Sequence, residues 1–193
     1  MRGKTDRSLE ITDIIGDVVR SIECAIYETD PDGYVTERKC PPVNYVFGNA
    51  QYVRDRLNEL SKSTHGSVIK YPLVALFVPI SEKRGDARYR SQMKVKILIA
   101  VGTRRDWSNE QRARISFANV LRPIYRAFLE ALKKDGRLAV AYNGTIPHEY
   151  SENYSYGRYG AYTSPGETLP DPIDAIDINN LELTVKNINC ISR

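Results

Sequence analysis

"MKVKILIAVG", residues 93–102, decides the fold class. It opens by alternation: Lys94 and Lys96 fall on one side, Val95 and Ile97 on the other, the period of a half-buried strand. From Ile97 onward it is apolar, as a strand covered on both faces must be. A second stretch, "VIKYPLVALFVPI" at 68–80, is apolar at nearly every position, with Pro72 near its start where a missing backbone donor is tolerated. Between them "SEKRGDARYRSQ" (81–92) predicts a charged loop or hairpin tip that projects from the sheet.

On the N-terminal side, a helix is predicted from about Ser8 to Ile22. Ile11, Ile15, Val18 and Ile22 share one face, with Ile14 and Val19 beside it. "IECAIYETDPDGYVTERKC" (22–40) predicts two short strands about the turn Asp30-Pro31-Asp32-Gly33. The turn lacks the later acidic ligands of a calcium loop, so it is a plain turn. Cys40-Pro41-Pro42 ends that hairpin, and "NYVFGN" (44–49) leads into a second helix from about Asn49 to Ser63. Asn49 is its N-cap, Ala50, Val53, Leu57 and Leu60 its buried stripe, and His65-Gly66 its close.

On the C-terminal side, Ser108 with Gln111 three residues on spells a capping box just after Trp107, the sole tryptophan, expected to pack as a staple. Phe117, Leu121, Ile124, Phe128 and Leu132 then repeat at helical spacing, and Pro123 inside the pattern predicts a kink. The opposite face of that helix carries Arg112, Arg114, Arg122, Arg126, Lys133 and Lys134. "HEYSENYSYGRYGAYTS" (148–164) holds five tyrosines among Asn, Ser and Gly, and predicts that residues 137–172 form an extended Tyr-rich loop or arm. "DAIDINNLELTVKNI" (174–188) is the last strand. Ile176 and Ile178 share one parity whereas Leu181, Leu183 and Val185 share the other, so a bulge or short turn is expected at Asn179-Asn180.

The order of elements predicts one α+β domain over residues 1–193, a mainly antiparallel sheet packed with helices. Its 193 residues suffice to bury about 70% of the unfolded surface. Hydrophobic residues at 41% and charged ones at 27% are those of a globular protein. No run reaches the roughly 20 apolar residues of a membrane span. "MRGKTDRSLE" lacks the apolar core of a signal peptide, so cytoplasmic synthesis is expected and no membrane partner. Cys24, Cys40 and Cys190 are odd in number and widely separated, which suggests reduced thiols and gives no metal spacing. Charge is unevenly distributed: net −1 over 1–80, +9 over 81–134 and −4 over 135–193. A basic middle and an acidic C-terminal third can attract a polyanion or one another between copies.

Catalytic chemistry is sparse. His65 and His148 are the only histidines, and "HEYSE" lacks the second His of a zinc-protease helix. No phosphate loop, nucleophile elbow or Cys-x-x-Cys occurs. Asp171, Asp174 and Asp177 have the spacing to hold a divalent ion, but their place before a strand favours a solvated, charged lead-in. No enzyme activity, cofactor or metal is expected. Arg104, Arg105, Arg112, Arg114, Arg122 and Arg126 keep open an alternative, a small nucleic-acid-binding protein using a basic helix face.

Several separated stretches resemble one known group. "YVFGN" (45–49), "YPLVALF" (71–77), "MKVKILIAV" (93–101), "RDWSNEQRARISFANVLRPIY" (105–125) and "DPIDAIDINNLELTVKNINC" (171–190) are similar to the tail-terminator and neck-ring proteins of tailed bacteriophages. The likeness is particularly to those of crAss-like gut phages and related prophages. The pattern runs through residues 9–190, and none of its parts is a catalytic signature. The resemblance implies an α+β subunit of a hexameric or dodecameric ring, with genome DNA in the lumen and neighbouring neck, tail and portal-side proteins as partners. It implies a place in the virion, after assembly in the host cytoplasm. The tyrosines Tyr150, Tyr154, Tyr156, Tyr159 and Tyr162 are then candidates for a subunit interface. Arg84, Arg88 and Arg90 are candidates to face the DNA channel.

Overall fold

In the computed structural model, which describes residues 8–30, 33–62, 64–140, 144–156 and 172–187, the elements follow in this order. The N-terminal part comprises α1 (Ile11–Arg20), β1 (Ala25–Thr29), β2 (Val35–Lys39), β3 (Asn44–Gly48), α2 (Ala50–Ser61) and α3 (Thr64–Ile69). The centre holds β4 (Leu73–Phe77), β5 (Glu82–Arg84) and β6 (Tyr89–Gly102). Then come α4 (Asn109–Arg112), a π-helical stretch (Ala113–Leu121), α5 (Arg122–Lys134), β7 (Glu149–Tyr156) and β8 (Ile173–Lys186). The fold is α+β. One sheet runs β3-β4-β6-β8-β7 with β5 beside β6, antiparallel except where β3 meets β4, and β1–β2 is a separate ribbon.

Burial on two faces explains the unbroken apolar runs. Val74, Leu76, Ile97, Ile99, Ile176 and Ile178 face the layer formed by α1, the π stretch and α5. Leu73, Ala75, Leu98, Ala100 and Ala175 face the opposite side, under Val53 and Leu57 of α2. The periodic residues Phe117, Leu121, Ile124, Phe128 and Leu132 are all fully buried. Each large side chain so buried contributes about 1.5–3 kcal/mol.

Four local expectations are corrected. "NYVFG" is a strand, not a lead-in, and its Gly48 abuts the Tyr52 ring so closely that a Cβ there would lie 2.5 Å from it. His65-Gly66 does not close a helix; both lie in α3. Pro123 gives no simple kink. The turns before it widen to π spacing, and the Arg122 N–H donates to the Phe117 carbonyl five residues back. That widening relieves the crowding a proline ring imposes on the carbonyl four residues earlier. Finally, the predicted Tyr-rich loop is in part a strand, since Glu149–Tyr156 pairs with β8.

The parity change in β8 is resolved as expected. Val95 faces Leu181 and Ile97 faces Ile178, so Asn179 and Asn180 together stand opposite Lys96. Asn180 takes a left-handed φ of 53°. The extra residue returns Leu181, Leu183 and Val185 to the face of Ile176 and Ile178, and all five join one core. Asn180→Gly is therefore expected to be near neutral. Asn180→Val should lose about 1–2 kcal/mol through the β-branched penalty at positive φ, measured by urea denaturation.

Candidate functional site

The tyrosine strand β7 is an edge of the sheet, paired with β8 at Tyr150↔Ile178 and Glu152↔Ile176. Tyr154 lies against Phe117 of the π stretch, ring centroids 4.4 Å apart, so it is spent on its own chain. Tyr150 meets Tyr125 edge-on at 4.9 Å yet remains 41% exposed. The Tyr125 hydroxyl lies 2.6 Å from His148 Nε2, and His148 Nδ1 lies 2.7 Å from the Ile146 carbonyl. A carbonyl can only accept, so Nδ1 carries the proton and, in the neutral ring, Nε2 accepts from the tyrosine. Arg122 donates to both oxygens of Glu152, at 2.7 and 3.0 Å, and holds that carboxyl below its ordinary range. Burial pushes the Tyr150 phenol up, as does its hydrogen bond to Glu152. The backbone of Tyr156 pairs with Ile173, whereas Tyr159 and Tyr162 lie outside the described residues.

The acidic lead-in is not solvated. Asp174 is fully buried, and Arg112, expected on the basic outer face, is 3% exposed and paired with it at 2.9 Å. Ser116 Oγ donates to the other carboxylate oxygen at 2.6 Å. Ser155, at a left-handed φ where β7 slips register, adds its N–H at 2.9 Å. The remaining Arg112 donors reach Thr103 Oγ1 and the carbonyls of Arg104 and Trp107. One ion pair thus joins the start of β8, the end of β7, the helix entry and the loop after β6. Trp107 itself is half-buried.

Asp177 is the opposite case. It is 5% exposed; one oxygen accepts from Asn153 Nδ2 at 2.7 Å, and the other has no partner among the described residues. Desolvation raises its pKa, against the attraction of Lys96. Asp171 lies outside the described residues.

The channel candidates sit on the β5–β6 hairpin, each beside a carboxylate. Arg84 pairs with Glu82 at 2.7 Å, Arg88 with Asp86 at 2.8 Å, and Arg90 with Glu10. The Arg88 hydrogen bonds hold Asp86 far below the usual carboxylate range. With Lys83, the hairpin carries four cations against two carboxylates of its own, Glu82 and Asp86, and Glu10 at the start of α1 supplies a third. Nor is the helix face as basic as expected, since Arg112 is buried and Arg122 is paired.

Sequence reasoning missed the β3 edge. Phe47 on β3 is 49% exposed, with Tyr52 at 55% and Val78 at 37% nearby, Val78 donating its N–H to the Gly48 carbonyl. Phe47 follows Tyr45, whose hydroxyl donates to Thr12 of α1, so both lie on the helix-covered face. Tyr150 lies on that face too, at the far edge of the same sheet. "YVFGN" showed the aromatics but not that they border an open edge.

Among the described residues no group of three or more His, Cys, Asp or Glu side chains is placed to hold a metal. Nor is any helix there long and apolar enough to cross a membrane. A groove of about 840 Å³ between α1 and α5 is lined by charges that already engage one another, Arg20 and Arg137 with Asp17, and Arg137 with Asp135.

Removing one partner of the buried pair, by Asp174→Ala or Arg112→Ala, should destabilise by about 3–5 kcal/mol. The double change Arg112→Met with Asp174→Leu should lose far less than the sum, and a denaturation double-mutant cycle reads the difference. Asp177→Asn should instead gain about 1 kcal/mol at neutral pH, because an unsatisfied buried charge is removed. A raised carboxyl contributes most below its unfolded pKa and loses that contribution as pH rises through the folded one. Stability of the parent relative to Asp177→Asn should therefore fall with rising pH across the acid range. Compared with known proteins, the chain matches no protein-family model and shows no significant similarity to a curated protein.

Proposed function

We propose that this chain is a structural subunit of a ring in the neck or tail of a tailed bacteriophage, joining portal to tail around the DNA channel. The observation that carries the proposal is the pair of open edges. Among the described residues strands β3 and β7 end one sheet, and each edge displays exposed aromatic surface, Phe47 with Tyr52 of α2 at one end and Tyr150 at the other. Across a sheet of this width the two edges lie roughly 20 Å apart, at about 4.8 Å per strand. Two different surfaces at opposite ends of a subunit suit heterologous, head-to-tail contact, which closes into a ring when the rotation per step allows. Tyrosine and phenylalanine supply large contact area with few rotatable bonds.

The resemblance in the strand and helix segments supports the same reading, with six or twelve copies expected. The hairpin of Arg84, Arg88 and Arg90 suits a channel wall that DNA slides past, because its nearly balanced charge offers phosphate contact without a tight hold. In this proposal Tyr150 carries the interface among the candidate tyrosines whose side chains are described, since Tyr154 is packed on Phe117.

Complementary variants test the proposal. Phe47→Glu and Tyr150→Glu should each abolish large assemblies in size-exclusion chromatography with light scattering. Mixed, they should form a dimer and nothing larger, because one intact edge remains on each chain. Wild-type protein should give a discrete species of six or twelve. Unchanged assembly in both variants, or no dimer on mixing, overturns the edge-to-edge contact. A wild-type monomer that binds short DNA with steep salt dependence replaces the ring by the nucleic-acid reading.

A further inference from the structure

The β1–β2 ribbon carries a covalent chemistry that the ring proposal does not use. Its ladder runs Ala25↔Lys39, Ile26↔Arg38 and onward to Thr29↔Val35, and continued one step toward its base it sets Cys24 opposite Cys40. The Cys40 N–H donates to the Cys24 carbonyl at 2.9 Å, which fixes that juxtaposition. Directly opposed residues of a hydrogen-bonded antiparallel pair have Cα atoms about 5.5 Å apart, the commonest separation in disulfides. Both thiols are free.

We propose that Cys24 and Cys40 form a dithiol that closes reversibly to a disulfide at the base of this ribbon, with a low-molecular-weight disulfide such as oxidised glutathione as the oxidant. The two sulfurs are not equivalent. Cys40 is 7% exposed, whereas Cys24 is half-buried and reachable from solvent. Burial pushes the Cys40 thiol up to about 12, with the neighbouring Cys24 adding to the rise, so Cys40 keeps its proton. Burial raises the Cys24 thiol too, but there the neighbouring Cys40 acts against the rise, and Cys24 is the more exposed of the two. Cys24 is therefore the attacking sulfur. Its thiolate displaces one glutathione thiolate and forms a mixed disulfide. Cys40, on losing its proton to solvent, then attacks the Cys24 sulfur and expels the second glutathione. Two thiols become one disulfide, and one oxidised glutathione becomes two reduced molecules.

The location gives the bond a structural effect. All five residues of β2 are exposed, and the ribbon meets the body through β1, where Asn119 of the π stretch donates to Thr29 at 3.0 Å. Closing the base joins the strand that packs to the strand that does not, and so restrains the exposed arm while leaving the main sheet unaltered.

The experiment equilibrates full-length protein in glutathione buffers from reducing to oxidising, quenches with acid, alkylates, and maps the cysteines by peptide mass spectrometry. The expected product is an intramolecular Cys24–Cys40 link, present equally in Cys190→Ser. It should form in a buffer about tenfold or more less oxidising for folded protein than for protein in guanidinium, because the fold pre-aligns the pair. Cys40→Ser should accumulate glutathione on Cys24. Any of three results overturns the proposal: both thiols fully alkylated in the most oxidising buffer, a link to Cys190 or between chains, or equal closure in the folded and unfolded states. Glutathione absent from Cys24 in Cys40→Ser overturns the assignment of Cys24 as the attacking sulfur.

Discussion

The pairing of β6 with β8 is the constraint on which the other contacts depend. Each strand is fourteen residues long, and they run antiparallel from Tyr89↔Lys186 to Gly102↔Ile173. Where residues 97–101 of β6 meet residues 174–178 of β8 both faces are buried, so neither face can be left to water. The helix layer of α1, the π stretch and α5 covers one side, and α2 covers the other. Everything between residues 103 and 172 is a long excursion that this pairing closes, and the loop-closure entropy must be offset by the two cores it completes. The Asn179-Asn180 bulge follows from the same demand, since without it half of β8 would turn its apolar residues outward.

Charge serves the same closure. The basic middle of the chain and its acidic C-terminal third meet within one subunit, at Arg112–Asp174, Arg122–Glu152 and Lys94–Glu182. Only the first is deeply buried, and it is tolerable because each oxygen of Asp174 and each nitrogen of Arg112 has a partner. Asp174 also accepts the Ser155 N–H at the irregularity of β7, where the ladder is interrupted. A charge asymmetry that suggested association between copies is therefore used in part inside the fold. Exposed aromatic surface, by contrast, remains at the two sheet edges, in Phe47 and Tyr150, and on the ribbon, in Tyr34.

Much of this was legible locally. The capping box at Ser108 and Gln111, the Asn49 cap and the turn closed by Gly33 are short-range devices whose partners lie within a few residues, and each occurs as spelled. The bulge was legible because a parity break is itself a local pattern. Strand β7 was harder: Tyr150, Tyr154 and Tyr156 share parity, but Ser151, Asn153 and Ser155 between them mask it. An edge strand facing a core on one side only needs little apolar content, so composition undersells it.

The sequence by itself determined the α+β class, the two long apolar strands, the buried stripe of the long helix and the bulge in β8. Those depend on periodicity and on partners nearby in the chain. Tertiary structure alone decided that Arg112 is interior, that Asp174 and Asp177 are buried, and that Phe47 and Tyr150 border opposite edges of one sheet. The physical reason is distance along the chain. A charged residue is a surface residue by default, and Arg112 escapes that default only because Asp174, 62 positions away, is brought to within a hydrogen bond of it.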